Sequence, residues 1–313
     1  VSNSLTITSF TVDTTAPTVA QVTAVTTPTN DTTPNYTFST NEAGTITYGG
    51  SCSSGTTSAT SGNNTITLVS LNDGTYSDCT ITVTDSAGNV SNSLTITSFI
   101  VDSTAATLVE VTAVTTPTND STPNYTFSSS EVGTITYGGS CSSGIASAIS
   151  GNNTITFLTL SDGTYSDCTI IVTDAAGNAS NTLSVTTFIV DTTALTVSSI
   201  YPTDNQSGVS ITTDNISVTF SEGMDNTSVT TNTDNTTCYG SFALSSDNFS
   251  SCVQMSSSPT SSNSYKTFTV DPSDNLSYST TYKTRVTTGV KDIVGNTLSS
   301  QYETSSGFIT DNG

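Results

Sequence analysis

Histidine and tryptophan are absent from the 313 residues, and the only cations are Lys266, Lys283, Arg285 and Lys291. Each absence excludes something. Without histidine there is no Ser-His-Asp or Cys-His catalysis, no His-ligated zinc and no imidazole general base. Neither a phosphate-binding loop nor a dinucleotide fingerprint occurs, so no organic cofactor is expected. Glycosidase-type acid pairs need a cleft usually walled by aromatics, and the missing tryptophan argues against one. The chain is therefore expected not to be an enzyme. From Val1 to Tyr265 there is no positive charge at all, and 25 acids leave a net charge of −21. Such a surface repels phosphate backbones and anionic bilayers. No long apolar run exists to insert into a membrane. Nucleic acid and membrane insertion are both excluded as partners.

Charge of either sign is scarce, at 9% against about 25% in ordinary domains. The polar surface is built instead from Thr, Ser and Asn. Threonine favours strands, while Ser, Asn and Gly favour turns. No apolar repeat of helical period is present. The chain begins at Val1 without a methionine or signal peptide, as expected of a processed form or a fragment.

What is present in abundance is repetition. Residues 1–89 align without gaps to residues 90–178, with 70 of 89 positions identical. VSNSLTITSF at Val1 returns at Val90, and as ASNTLSVTTF at Ala179. Within a repeat, apolar residues alternate at Tyr36 and Phe38, Ile46 and Tyr48, Ile66 and Leu68, then Cys79, Ile81 and Val83. Leu94 and Ile96 follow, and a slip of phase before Phe99 and Val101 predicts a β-bulge. Turns are predicted at Asn30-Asp31, Gly49-Gly50, Gly62-Asn63, Asp73-Gly74 and Ala87-Gly88-Asn89. Six or seven short strands of this kind describe a β-sandwich. From Leu195 a divergent third module begins, with strands predicted at Ile216–Phe220, Phe268–Val270, Tyr282–Val286 and Phe308–Thr310.

VDTTAPTV at Val12, TPTNDTTPNYTF at Thr27, DGTY at Asp73 and VTDSAGN at Val83 resemble the bacterial immunoglobulin-like repeats of large surface adhesins and biofilm proteins. This resemblance spans residues 1–191. YPTDNQSGVS, VTFSEGM, LSYSTTYKTRV and VKDIVGNTLS make residues 195–313 similar to the bacterial Ig-like domain of S-layer proteins and secreted enzymes. The resemblance implies an all-β fold of tandem Ig-like sandwiches in an elongated rod. The expected division is an orphan last strand and linker at 1–16, repeats at 17–102 and 103–191, and the divergent domain at 192–313.

An even cysteine count without a CxxC spacing predicts three local disulfides, Cys52–Cys79, Cys141–Cys168 and Cys238–Cys252, and an oxidising, extracellular, cell-surface setting. In an Ig-like module the chain enters at the end carrying the B–C and F–G loops. That brings Asp102 toward Glu131, Asp174 and Asn178, with Asp73 and Asp31 contributed from the module before. Asp191 meets Glu222, Asp292 and Asn296, with Asp162 and Asp120 behind, and Asp13 meets Glu42, Asp85 and Asn89. Clustered carboxylate and amide oxygens without sulfur or imidazole suit calcium. The same Asp and Asn residues also suit turns, where they bond their own backbone. Glycosylation sequons stand at Asn35, Asn63, Asn152, Asn215 and Asn248.

Residues 1–12 match the last strand of a repeat and stand ahead of the first module body. Leu5, Ile7, Phe10 and Val12 make them a candidate for strand exchange. Three functions are therefore in view. The first is a stalk segment of a surface adhesin, whose partners are further Ig-like modules and whose absent tip would meet surface glycans or a host or neighbouring cell. The second is a filament subunit pairing with copies of itself through that strand. The third is a noncatalytic accessory or carbohydrate-binding region of a secreted enzyme.

Overall fold

The computed structural model describes residues 3–313 and is all-β, with no helix among those residues. The first repeat runs β1 (Val19–Thr23), β2 (Asn35–Thr40), β3 (Gly44–Gly49), β4 (Ser58–Ala59), β5 (Gly62–Thr67), β6 (Gly74–Tyr76), β7 (Thr80–Thr84), β8 (Leu94–Thr95) and β9 (Phe99–Val101). A sheet of order β1-β2-β5 faces one of order β4-β3-β7-β8, and β6 pairs with β9. In β2 the inward residues Tyr36, Phe38 and Thr40 are buried while the residues between them reach solvent. The threonines of β7 likewise alternate with buried Ile81 and Val83. This two-residue period turns a Thr-rich sequence into a sheet with one apolar face.

The second repeat reproduces these strands from β10 (Leu108–Thr112) to β18 (Phe188–Val190). The third module continues with β19 (Val197–Tyr201), β20 (Ile216–Phe220), β21 (Phe242–Ser245), β22 (Thr260–Ser262), β23 (Thr267–Val270), β24 (Thr281–Val286), β25 (Tyr302–Glu303) and β26 (Phe308–Ile309). Its sheets are ordered β19-β20-β23-β22 and β21-β24-β25, with β26 also on β24. Three separate buried cores follow, from Val19 to Val101, Ala106 to Val190 and Leu195 to Phe308.

Three details of the strand pattern differ from the sequence reading. The slip before Phe99 is not a bulge. Leu94 pairs with Ile81 in β7, and Phe99 pairs with Tyr76 in β6, so the chain crosses from one sheet edge to the other. Crossing lets both Ile96 and Phe99 point inward. The register irregularity lies instead between Gln21 and Thr23, where β1 meets β2. Gly62-Asn63, read as a turn, opens β5. Glycine is required at Gly50, whose φ of 75° is left-handed and where a Cβ would stand 2.1 Å from the Asp78 carbonyl oxygen.

Disulfides join Cys52 to Cys79, Cys141 to Cys168 and Cys238 to Cys252, and no free cysteine remains. In the repeats each ties the turn after the third strand to the start of the strand carrying Ile81 or Ile170. Mutating Cys52 and Cys79 together to Ala should lower the stability of the first module by about 3–4 kcal/mol, the loop-closure value for such a crosslink. Chemical denaturation measures it, and mass analysis under non-reducing alkylation should find no free thiol in the parent chain.

Residues 3–18 form no strand. Leu5, Ile7, Phe10 and Val12 are between 74% and 90% exposed. Their repeat counterparts Ile96, Phe99 and Val101 are buried, and Phe99 stacks on Tyr76 at 5.3 Å. The beginning of the candidate exchange strand, Val1 and Ser2, lies outside the described residues.

Candidate metal centres at the module junctions

Each module has the same entry loop. After β7 the chain reads Asp85-Ser86-Ala87-Gly88-Asn89, and the corresponding loops are Asp174–Asn178 and Asp292–Asn296. In the second module Asp174 Oδ1 accepts from the amides of Ala176, Gly177 and Asn178 at 2.8–2.9 Å, closing a tight turn around Gly177 at φ 97°. Asn178 Nδ2 then donates to Asp174 Oδ2 and to the Asp102 carbonyl, both at 2.8 Å. Asn89 makes the same bond to the Asp13 carbonyl at 3.1 Å, and Asn296 to that of Asp191 at 2.9 Å. The asparagine is thus a strap holding the linker against the entry loop.

The strap brings carboxylates together. Asp13, Glu42 and Asp85 form one triad, Asp102, Glu131 and Asp174 a second, and Asp191, Glu222 and Asp292 a third. In each, carboxylate oxygens of all three residues lie within 4.8 Å of one another. The glutamate comes from the turn after the second strand of its module. The donor set is all oxygen and fits a hard divalent cation such as calcium. The Glu131 and Glu222 carboxylates receive no hydrogen bond among the described residues, which leaves their oxygens available to an ion.

Charge crowding is visible in the titration of these groups. Glu131 is held above the usual glutamate value by partial burial, then by Asp102, Asp174 and Asp73. Glu222 is raised by burial and by Asp191 and Asp292, while Lys266 opposes the shift. In Asp174 burial pushes upward, yet the bonds from Asn178 and the loop amides leave it below the usual value. Because folded Glu131 holds its proton more tightly than an unfolded glutamate, the metal-free junction gains stability as pH falls through that raised value and loses it as pH rises. Calcium must displace the same proton, so its affinity should weaken as pH is lowered toward and through that raised value. Calorimetric titration at several pH values checks this, and an affinity independent of pH would remove Glu131 from the ligand set.

Asp73 and Asp162 are not part of the triads. Asp73 accepts from the Ser103 amide and hydroxyl and the Thr104 hydroxyl at 2.6–2.8 Å, and these bonds hold its carboxyl below the usual range. Asp162 does the same for Thr192 and Thr193. They cap the linker from the module behind. Asp31 and Asp120 cap their own turns through Thr33 and Thr122. All five sequon asparagines are exposed.

Two contributors to the junctions escaped the sequence reading. Asn30 of the first module reaches the second, its Nδ2 3.6 Å from where a Cβ on Gly177 would stand, and Asn119 stands 3.4 Å from that point on Gly295. Lys266 donates to the Ser221 carbonyl at 3.0 Å and puts a competing cation beside the third triad. Its rarity in so acidic a chain was the available signal.

Residues 6–103 match a family profile described as a bacterial Ig-like domain, and residues 191–310 match a second profile of the same description. The chain is thus built of bacterial Ig-like domains, the second repeat sharing 70 of 89 positions with the first. A search of curated proteins finds no match. Among solved structures, a titin tandem aligns over 94% of this chain and 100% of its own at 8% identity and a TM-score of 0.26. Invasin, a bacterial integrin-binding protein, aligns over 94% of this chain and 60% of its own at 14% identity and a TM-score of 0.34. Likenesses this distant bear on neither ligand nor function. Ig-like domain families are typically noncatalytic, and disulfides within bacterial Ig-like domains point to an extracellular structural protein.

Proposed function

We propose that the chain is a segment of a cell-surface rod, with junctions stiffened by calcium. The observation that carries this reading is the repetition of one acid triad and one asparagine strap at all three module entries, even though the third module has diverged. A divalent ion would supply the positive charge that the triad lacks. The chain's own residues do the rest. Asn178 and Asn296 clamp the linkers from ahead, Asp73 and Asp162 cap them from behind, and each triad then resists bending because its members belong to both linker and module. In this reading the partners are further Ig-like modules of a longer surface protein. An adhesive tip, which would meet surface glycans or another cell, lies elsewhere. Small-angle scattering with calcium and with chelator tests the proposal.

The exposed faces of Leu5, Ile7, Phe10 and Val12 favour a second reading, a filament subunit. Residues 3–10 repeat residues 92–99, whose place is on the edges of β6 and β7. Their complement is therefore an Ig-like body presenting that pair of edges. Among the described residues each module fills its own edges, β25 and β26 doing so on β24. A subunit of a filament would have to release its last strand to accept this one.

A further inference from the structure

The third module differs from the repeats most in one loop. Where the repeats pass from second to third strand through Asn41–Ala43 or Ser130–Val132, the third module spends Ser221–Ser241 between β20 and β21. Loops of that length without strands of their own are uncommon and are usually either functional or linker segments. This one builds two adjoining cavities of about 370 Å³ each that share Asn226.

An exposed tyrosine stands in each cavity. Tyr265 is 52% exposed, and Met224 and Ile293 line the cavity with it. It ends a run of three left-handed residues, Asn263, Ser264 and Tyr265, with φ of 53°, 55° and 60°. Asparagine or glycine would take the last position with less strain, so the tyrosine ring is held there against local preference. Its carbonyl accepts the Met224 amide at 3.0 Å, which fixes the hairpin to the loop. Tyr239, also 52% exposed, belongs to the second cavity. Its hydroxyl donates to Asp234 and accepts the Thr233 amide at 2.9 Å, so the ring is oriented in advance. Thr231 lines the same cavity at 6% exposure, and its Oγ1 has no hydrogen-bond partner. A buried hydroxyl without a partner is uncommon and marks a place where a ligand polar group would be welcome.

The chemistry of the lining selects the ligand. Threonine hydroxyls and the Asn226 amide are neutral donors and acceptors, and the two rings offer flat apolar faces with polar rims. The one acid, Asp225, is occupied by the Thr227 amide and hydroxyl at 3.0 and 2.7 Å. No cation lines either cavity; Lys291, which acts on Asp225, stands outside both linings. We propose that this face of the third module binds a neutral oligosaccharide, with sugar rings stacked on Tyr239 and Tyr265 and hydroxyls bonded to Thr231 and Asn226. The site uses none of the junction carboxylates, and it places glycan recognition within the rod itself.

The test uses the whole chain, titrated with cello-, laminari-, xylo-, manno-, malto- and chitohexaose. At least one should bind, and Tyr239→Ala or Tyr265→Asn should each weaken it tenfold or more. Asparagine suits the left-handed backbone at position 265, so that variant removes the ring while keeping the hairpin. Thr231→Val should weaken binding several-fold without lowering the melting temperature, because the hydroxyl has no internal partner to lose. Tyr278→Ala, on an exposed ring elsewhere in the module, should change nothing. If Tyr239→Ala unfolds, Tyr239→Phe should retain binding, since it keeps the stacking face. The proposal is overturned if no hexasaccharide binds, if binding ignores both tyrosines, or if the face takes heparin or an extended peptide in preference to neutral sugars.

Discussion

Replacing Asp102, Glu131 and Asp174 together by Asn, Gln and Asn is expected to erase the calcium response of the second junction while leaving its modules folded. Three carboxylates within 4.8 Å of one another repel by roughly 0.9 kcal/mol per pair even with the full screening of water. Neutralising them therefore removes a cost from the metal-free chain. Asparagine at 174 keeps an acceptor for the loop amides that Asp174 now caps. With calcium present the balance reverses. A site filled at about a hundred times its dissociation constant stabilises by about 2.7 kcal/mol, and the variant should lose that amount. Extracellular oxygen sites bind in the range of about 10⁻⁴ to 10⁻³ M, so the full difference is reached at about 10–100 mM calcium and only part of it at about 1 mM. Asp73→Asn is the informative control. It should weaken the cap on Ser103 and Thr104 yet leave calcium affinity nearly intact, because Asp73 stands outside the triad. Calorimetry of the three proteins with and without calcium decides between a metal centre and a set of turn residues.

The second large effect concerns the N-terminal segment. Deleting residues 1–12 should leave the melting of all three modules unchanged, since the first core begins at Val19 and no core includes a residue from this segment. The same deletion should abolish any end-to-end association. Four apolar side chains in an unpaired extended segment cannot offset their ordering entropy without a sheet to join. Negative-stain microscopy beside calorimetry reads both halves. Loss of module stability would mean that the segment folds back on its own chain, and unaltered filaments would move assembly to another surface.

The fold was open to sequence reasoning because a threonine-rich chain exposes its period. Tyr36-Thr37-Phe38 and Ile81-Thr82-Val83 show the inward residue at every second position. What the period could not show was the crossing between Leu94 and Phe99. Both an inserted residue and a change of sheet shift the phase by one, and only the partners, Ile81 and Tyr76, tell them apart. In the third module β20 was readable from Ile216, Val218 and Phe220. Val197–Tyr201, Phe242–Ser245, Thr260–Ser262 and Tyr302–Glu303 were not. The last two bury no large apolar residue, Val197–Tyr201 fully buries only Ile200, and Phe242–Ser245 is buried at every position and so shows no alternation. The junction triads could be listed from topology because the Asp-x-x-Gly-Asn loop recurs in all three modules. The separation of Asp73 from Asp102 could not. Both are linker-facing acids in sequence, and only the bonds to Ser103 and Thr104 show that one is consumed as a cap. The paired tyrosines of the third module were invisible for a related reason. Tyr239 and Tyr265 are far apart in sequence and stand in two cavities whose linings share Asn226.

In the proposed rod the junctions are rigid because an ion completes them. Small-angle scattering of the intact 313-residue chain measures that directly, through the maximum dimension and the distance distribution in calcium and in excess chelator. An extended particle of fixed length is expected in calcium, and a shorter, broader distribution once the ion is withdrawn, with each module still folded by circular dichroism. Identical distance distributions in the two buffers would contradict it.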